Sequence, residues 1–233
     1  MKSILIRFFE DFLSLFYPRL CITCGNDLNK QETLLCTKCD LDLPRTHYHE
    51  EPNNPIEQTF WGRTRIEHAT AYFFYAKGSK YQKLIHDLKY KGKKYIGHEL
   101  GKKLAIELNF SAFSYVDVIV PVPLHRKKQK KRGYNQSECI ASGLSEAIKR
   151  PVDRQSLFRK TNTQSQTKKS RFDRWENVKN VFEVKDKKAF SNKHVLLVDD
   201  VITTGATLEA CINQLLACPG CKVSIISLGY SKD

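Results

Sequence analysis

Asp199 and Asp200 stand side by side at the end of the apolar run "HVLLV", and Thr203-Thr204-Gly205-Ala206-Thr207 follows directly. Adjacent carboxylates repel each other, so the pair calls for a counterpart that engages both. The small residues after them let backbone N–H groups converge on an anion, and a helix starting near Ala206 adds a favourable partial positive charge. Hydroxyls of Thr203, Thr204 and Thr207 offer further donors to phosphate oxygens. The aspartates would repel that phosphate, so they must serve another part of the same ligand. Ribose hydroxyls suit them, with a magnesium ion to bridge the rest. The pattern fits a 5-phosphoribosyl group laid across a strand-to-helix turn. An Asp-Asp strand end that only caps a helix would explain one carboxylate and one threonine, and leaves the rest of the string without a role.

A second constellation is made of sulfur. Cys21-x-x-Cys24 and Cys36-x-x-Cys39 are separated by eleven residues. Each CxxC turn aims two thiolates at one point, and two such turns complete a four-sulfur tetrahedron for zinc. The segment is too short to fold on its own apolar surface, so the metal would supply folding energy, and with no open position the zinc would be structural. Cys218-Pro-Gly-Cys221 is different: it falls between a helix and a strand, where Pro-Gly makes an ordinary turn, and no second ligand pair accompanies it. Cys139 and Cys211 fall on apolar helix positions and read as core.

A third stretch, Val120 to Glu138, ends a strand in prolines and then packs in seven basic or potentially basic side chains. After a strand of the same sheet, such a run suits a pyrophosphate loop leading into a mobile cationic lid. Arg126, Arg132 and neighbouring lysines would neutralise departing pyrophosphate, with Gly133 as the hinge. "LKYKGKK" adds cations upstream, and Lys89 or Lys91 can approach the same site. The polar stretch 161–170 reads either as a surface loop or as a source of ligand contacts.

The elements that must position these groups follow from periodicity. "EHATAYFFYA" predicts a strand, and Tyr81, Leu84, Ile85 and Leu88 have helical spacing. "YVDVIVPVP" predicts a buried strand halted by prolines, and "NQSECIASGLSEAIK" a helix. "HVLLV" and "KVSIISL" predict strands flanking the helix that carries Leu208, Cys211, Ile212, Leu215 and Leu216 on one face. This βαβ unit implies a parallel sheet with ligands at the strands' carboxyl ends. Four regions are expected: an amphipathic helix over 1–17, the cysteine module over 18–44, a linker over 45–60, and an α/β domain over 61–233. The chain has 233 residues, 41% of them hydrophobic, and a net charge of +14, which points to an anionic partner, nucleic acid or a phosphorylated small molecule. Charges at Arg7, Glu10 and Asp11 break up the first apolar segment, which argues against stable membrane insertion and against an export signal. Eight cysteines without such a signal imply a reducing cytoplasm.

"VLLVDDVITTGAT" resembles the 13-residue phosphoribosyl pyrophosphate (PRPP) motif of type I phosphoribosyltransferases. The resemblance implies that fold, with Asp199 and Asp200 on the ribose hydroxyls and Thr203, Gly205, Ala206 and Thr207 around the 5′-phosphate. "PVPLHRKKQKKRGYNQSE" is similar to the "PvPLh…RGfNQ" signature of the ComF family, through Pro121, Val122, Pro123, Arg132, Gly133, Asn135 and Gln136. "LKYKG" matches that family's upstream stretch, and Thr163, Gln166, Arg174, Asn177 and Phe182 follow its "T..Q…R..N….F" pattern. The four-cysteine module after an N-terminal helix also looks like a family feature. The resemblance implies magnesium-dependent transfer from PRPP to an unidentified acceptor. It also implies a role in DNA uptake, which sets against the enzyme a non-catalytic accessory protein that binds single-stranded DNA or nucleotide alongside competence or recombination proteins.

Overall fold

The computed structural model of the chain describes residues 17–108, 112–160 and 181–231. The expected N-terminal helix apart from Tyr17, the polar 161–170 stretch with Thr163 and Gln166, and the following Arg174 and Asn177 lie outside the described residues.

A parallel sheet arises because its strands are apolar on both faces. In β5 (His194–Ile202), Val195, Leu196, Leu197 and Val198 are all fully buried. Alternate residues point to opposite faces, so such a run is stable only when both faces are covered. With β1 (Ala69–Phe74), β2 (Val118–Pro121) and β6 (Lys222–Tyr230) it forms a four-stranded sheet in the order β1-β6-β5-β2. Every pairing is parallel, with Leu196 opposite Ile119 and Val198 opposite Ile226.

Three helices cover one face: α3 (Gln82–Tyr90), α4 (Lys94–Glu107) and α6 (Gln136–Ile148). They bury Leu84, Leu88, Ile96, Leu100, Ile140 and Leu144 against Leu196, Val198 and Ile226. At about 1.5–3 kcal/mol for each such side chain, this layer outweighs any surface ion pair. Helices α4 and α6 approach unusually closely. A Cβ on Gly97 would lie 2.9 Å from Cys139 Cβ, one on Gly101 would collide with the Ile140 carbonyl, and one on Gly143 with the His98 carbonyl.

On the other face, α7 (Ala206–Leu216) buries Leu208, Cys211, Ile212 and Leu215 against Val195, Leu197 and Ile225. The short α2 (Pro55–Gln58), Phe60 and an antiparallel hairpin of β3 (Leu157–Arg159) and β4 (Phe182–Val184) complete this layer.

Residues 45–60, expected as a linker, are folded against the sheet. Phe74 N donates to Pro44 O at 2.8 Å, Thr46 N to Tyr72 O at 3.2 Å, and Arg45 bridges to Phe73. Asn54 caps α2 by accepting from Ile56 N and Glu57 N, and its amide donates to Ala69 O at 2.9 Å. The cysteine module, which contains α1 (Thr37–Leu41), is likewise docked: Cys21, Leu34, Leu35, Cys36, Cys39 and Leu43 belong to the helix-face core. Tyr81 donates to Cys39 O at 3.0 Å, and Lys103 pairs with Asp40 at 2.9 Å.

Candidate functional site: the carboxyl end of the sheet

The turn after β5 is shaped by Gly205. Its φ is +71°, a left-handed conformation that favours glycine, and a Cβ there would lie 2.9 Å from the ring of Phe60. Gly205 caps α7, so the amides of the turn and of the helix's first turn lack intrahelical acceptors. Thr203, Thr204, Ala206 and Thr207 around it are exposed. Together with Asp199 they line a small cavity of about 50 Å³. Arg63 holds the turn from outside, donating to Thr204 O at 2.9 Å and to Thr59 O at 3.1 Å while pairing with Glu209 on α7.

Asp199 and Asp200 sit on the last part of β5 and are held differently. Ser137 Oγ, at the start of α6, donates to Asp199 Oδ1 at 3.2 Å, and the Asp200 amide donates to the same oxygen at 2.8 Å. Burial, and after it the neighbouring Asp200 charge, pushes the Asp199 carboxyl up to about 7, against the opposing effect of these hydrogen bonds and Lys89. Asp200 instead meets Lys89 Nζ at 2.8 Å. Carboxylate oxygens are hard ligands that fit magnesium, and a cation here would favour the ionised pair.

The end of β2 reaches the same place, since Val122 N donates to Val198 O at 2.9 Å. Pro121, Val122 and Pro123 therefore run beside the start of the aspartate pair. Asn135 caps α6 through Ser137 N at 3.1 Å and ties it to Val122 O at 2.9 Å. This is the arrangement that lets Ser137 reach Asp199. Gln136 is buried, and its Oε1 accepts from Arg132 Nη1 at 2.7 Å.

The basic run is not a loop throughout: Arg126–Arg132 form α5, none of it buried, and Gly133 ends it at φ +78°. A basic helix without an apolar face has no periodicity by which to declare itself. Its last turn comes back to the site. Lys128, Lys131 and Arg132 line a cavity of about 320 Å³ with Lys89, Tyr90 and Gly92. The Arg132 guanidinium lies 5.2 Å from the centre of the Tyr90 ring. Arg126 stays exposed at the far end of α5, and Lys91 caps α3 facing solvent. Of the two upstream lysines, Lys89 is the one at the site.

The cysteine cluster lies apart from this end of the sheet in its contacts. The four sulfurs of Cys21, Cys24, Cys36 and Cys39 are within 4.8 Å of one another. Zinc–sulfur bonds of about 2.3 Å give a tetrahedral edge of about 3.8 Å, and Cys24 and Cys36 are 3.7 Å apart. Burial opposes ionisation of Cys21, but the Cys24 amide, the Thr23 hydroxyl and the Cys36 amide outweigh it and bring the thiol down to about 6. At Cys36 the Cys39 amide favours the thiolate, yet burial and three neighbouring sulfurs push it up to about 12. Four thiolates this close repel one another unless a cation neutralises them, and the donor set fits zinc. Cys218 and Cys221 are buried in a turn, with thiols directed at the carbonyls of Gln214 and Lys222. Cys211 is fully buried in α7.

Two contributors escape sequence reading. Arg63 meets Thr204 across 141 residues, and no local pattern announces such a contact. Ser137 directly follows the "RGYNQ" string, and its neighbour Asn135 as a helix cap was the signal that would place it.

Comparison with known proteins gives consistent findings. Residues 97–230 match the model of the phosphoribosyl transferase domain. Over 211 residues the chain is 30% identical to the DNA utilization protein YhgH of Escherichia coli strain K12, covering 88% of this chain and 86% of that protein. It is 41% identical over 101 residues to competence protein F of Haemophilus influenzae, covering 43% and 44% of the two chains. Among solved structures, a glutamine PRPP amidotransferase from B. subtilis complexed with ADP and GMP matches with a TM-score of 0.44 at 21% identity, over 61% of this chain and 30% of that one.

Proposed function

The chain belongs to the ComF family and carries a type I phosphoribosyltransferase fold with an N-terminal four-cysteine cluster, and on that premise we propose that it binds PRPP with magnesium and transfers the phosphoribosyl group. The observation that carries this reading is the order of groups at the end of β5: two carboxylates, then an exposed turn built on Gly205. The turn's amides, which lack intrahelical acceptors, and its threonine hydroxyls take the 5′-phosphate. Asp199 and Asp200 accept hydrogen bonds from the ribose hydroxyls and place negative charge near the cation that develops as the C1–O bond breaks. Magnesium, when bound, neutralises pyrophosphate charge, and the two carboxylates are the residues suited to its shell. Lys89, Arg132, Lys128 and Lys131 lie at the edge of the same site and offer positive charge to the pyrophosphate end. The zinc cluster supplies folding energy and takes no part in the chemistry.

Calorimetric titration with PRPP and magnesium at pH 8.5 tests the reading. The wild-type chain is expected to bind, and Asp199→Asn with Asp200→Asn to lose at least about tenfold in affinity. No heat from the wild-type chain would end the proposal. Pyrophosphate release in the presence of bases or amines then reports turnover.

A second reading has its own observation. Helix α5 exposes Arg126, Lys127, Lys128, Lys130 and Lys131 together on a chain of net charge +14, and relatives bear the names DNA utilization protein and competence protein. In this reading α5 contacts the phosphates of single-stranded DNA, beside competence or recombination proteins, and affinity falls steeply with salt. DNA binding that does not weaken between about 50 and 200 mM salt would count against it.

A further inference from the structure

Lys89 is the residue that belongs to both halves of the site. Its Nζ lies 2.8 Å from Asp200 Oδ1, with the lysine side chain 22% and the aspartate 14% exposed. It also lines the cationic cavity formed with Tyr90, Gly92, Lys128, Lys131 and Arg132. The cavity around the Gly205 turn has Asp199 among its lining residues and shares none with the cationic one. The two anion-friendly spaces thus flank the aspartate pair, and Lys89 bridges from one of them to Asp200.

An arriving ribose competes with this pairing. Lys89 Nζ sits on Oδ1, one of the two Asp200 oxygens open to a ribose hydroxyl. Helix α3 is held along its length, with Leu84, Ile85 and Leu88 in the core and Tyr81 bonded to Cys39. The Leu88 carbonyl also accepts from Tyr134. The backbone under Lys89 is therefore fixed, and the flexible four-carbon stem is what can move. Its alternative partner is an anion in the cavity it already lines.

We propose that Lys89 is a handover residue: it neutralises Asp200 in the empty site and transfers to the pyrophosphate end of the ligand as ribose takes its place on the aspartate. This rests on the phosphoribosyl reading above. The exchange is thermodynamic as well as geometric. Each ligand end can change the balance only through a difference in affinity between the two lysine positions. Pyrophosphate, which draws Lys89 away, makes Asp200 available to ribose, and a ribose on Asp200 frees Lys89 for pyrophosphate. The two ends of the ligand then bind with mutual assistance, and by linkage each raises the other's affinity by the same factor.

Ribose 5-phosphate and inorganic pyrophosphate, both with magnesium, separate the two ends. Calorimetry at pH 8.5 on wild type, Lys89→Met and Lys89→Arg reads each affinity, alone and with the other ligand saturating. In wild type each ligand is expected to tighten the other by roughly threefold or more. Lys89→Met is expected to weaken pyrophosphate by about tenfold, to leave ribose 5-phosphate equal or tighter, and to abolish the mutual tightening. Lys89→Arg, which keeps the charge, should restore a large part of the pyrophosphate affinity. Equal losses for both ligands in Lys89→Met would overturn the proposal, because a lysine that serves only as a fixed counterion to Asp200 would give that result. Wild-type binding of both ligands without mutual tightening would overturn it as well. A wild-type chain that binds neither ligand would instead remove the phosphoribosyl reading itself. Thermal melting of the variants checks that they fold.

Discussion

At Cys21, Cys24, Cys36 and Cys39, four sulfurs lie within 4.8 Å of one another, whereas at Asp199 and Asp200 two carboxylates adjoin at a strand end with Lys89 2.8 Å from the second. Both are crowded anions, and both need positive charge. The sulfurs close on one point, have Cys21, Cys36 and Cys39 in the core, and use all four positions of a tetrahedron. The carboxylates adjoin an exposed turn, and Asp200 is paired with a lysine on a flexible stem. A closed set of ligands holds its cation for the life of the fold. An open set with a movable lysine can exchange it for a ligand. On the proposed reading, the same electrostatic problem yields a structural zinc site in one place and a phosphoribosyl site in the other.

The largest test of this contrast is removal of a sulfur. Cys36→Ser is expected to lose the zinc measured per chain and to lower the melting temperature by more than about 10 °C, because metal binding carries folding energy. Full zinc content with an unchanged melting temperature would break the comparison on the sulfur side. The open site is vulnerable through its turn: Gly205→Ala combines left-handed strain with a Cβ against Phe60, and should cost about 2 kcal/mol in denaturant unfolding along with the phosphate affinity.

Deleting a carboxylate should act in the opposite direction from deleting a sulfur. The folded-state value of Asp199, about 7, lies above the ordinary 3.8. The folded chain therefore holds a proton there that the unfolded chain has lost, so this contribution to stability is full below pH 4 and disappears as pH rises through 7. Asp199→Asn should raise the melting temperature at pH 8 by roughly 5 °C and flatten its fall across that window. A variant less stable than wild type at pH 8 would mean that the pair is a structural asset. The smallest expected effect is a control. Cys221→Ser leaves zinc content unchanged and costs about 1 kcal/mol, as a buried turn thiol outside any metal site should.

How much of this was legible depends on whether the information was local. The β5–turn–α7 unit could be read because an apolar run, two acids, a glycine turn and an amphipathic helix are contiguous. β1, β2, α3, α6 and β6 announced themselves through apolar runs or helical spacing. Helix α4 did not: Ile96, Leu100 and Leu104 are fully or almost fully buried, but Gly97 and Gly101 lower the helix propensity and lysines interrupt the pattern. The packing that compensates comes from α6, forty residues away in sequence. The 45–60 stretch is held by Thr46 and Asn54 through hydrogen bonds to the edge of β1, which leave no period in the sequence. The strands β3 and β4 are three residues each, too short for an alternation to show. At the site, the choice between Lys89 and Lys91 needed the helix to be placed, since the two residues differ by two positions and only one faces Asp200.

The three glycines between α4 and α6 have a mechanical consequence. With no side chain to separate them at Gly97, Gly101 and Gly143, the two helices are joined nearly backbone to backbone and behave as one plank rather than two rods. Ser137 sits at the end of that plank, so its hydroxyl has the stiffness of both helices when it meets Asp199. Helix α5 has no such brace: it is a seven-residue lever without a buried side chain, ending at Gly133. Among the described residues, helix α5 is tethered at its last turn alone, through Arg132 to Gln136 and over the Tyr90 ring, whereas the hydroxyl that meets Asp199 rests on two helices packed backbone to backbone.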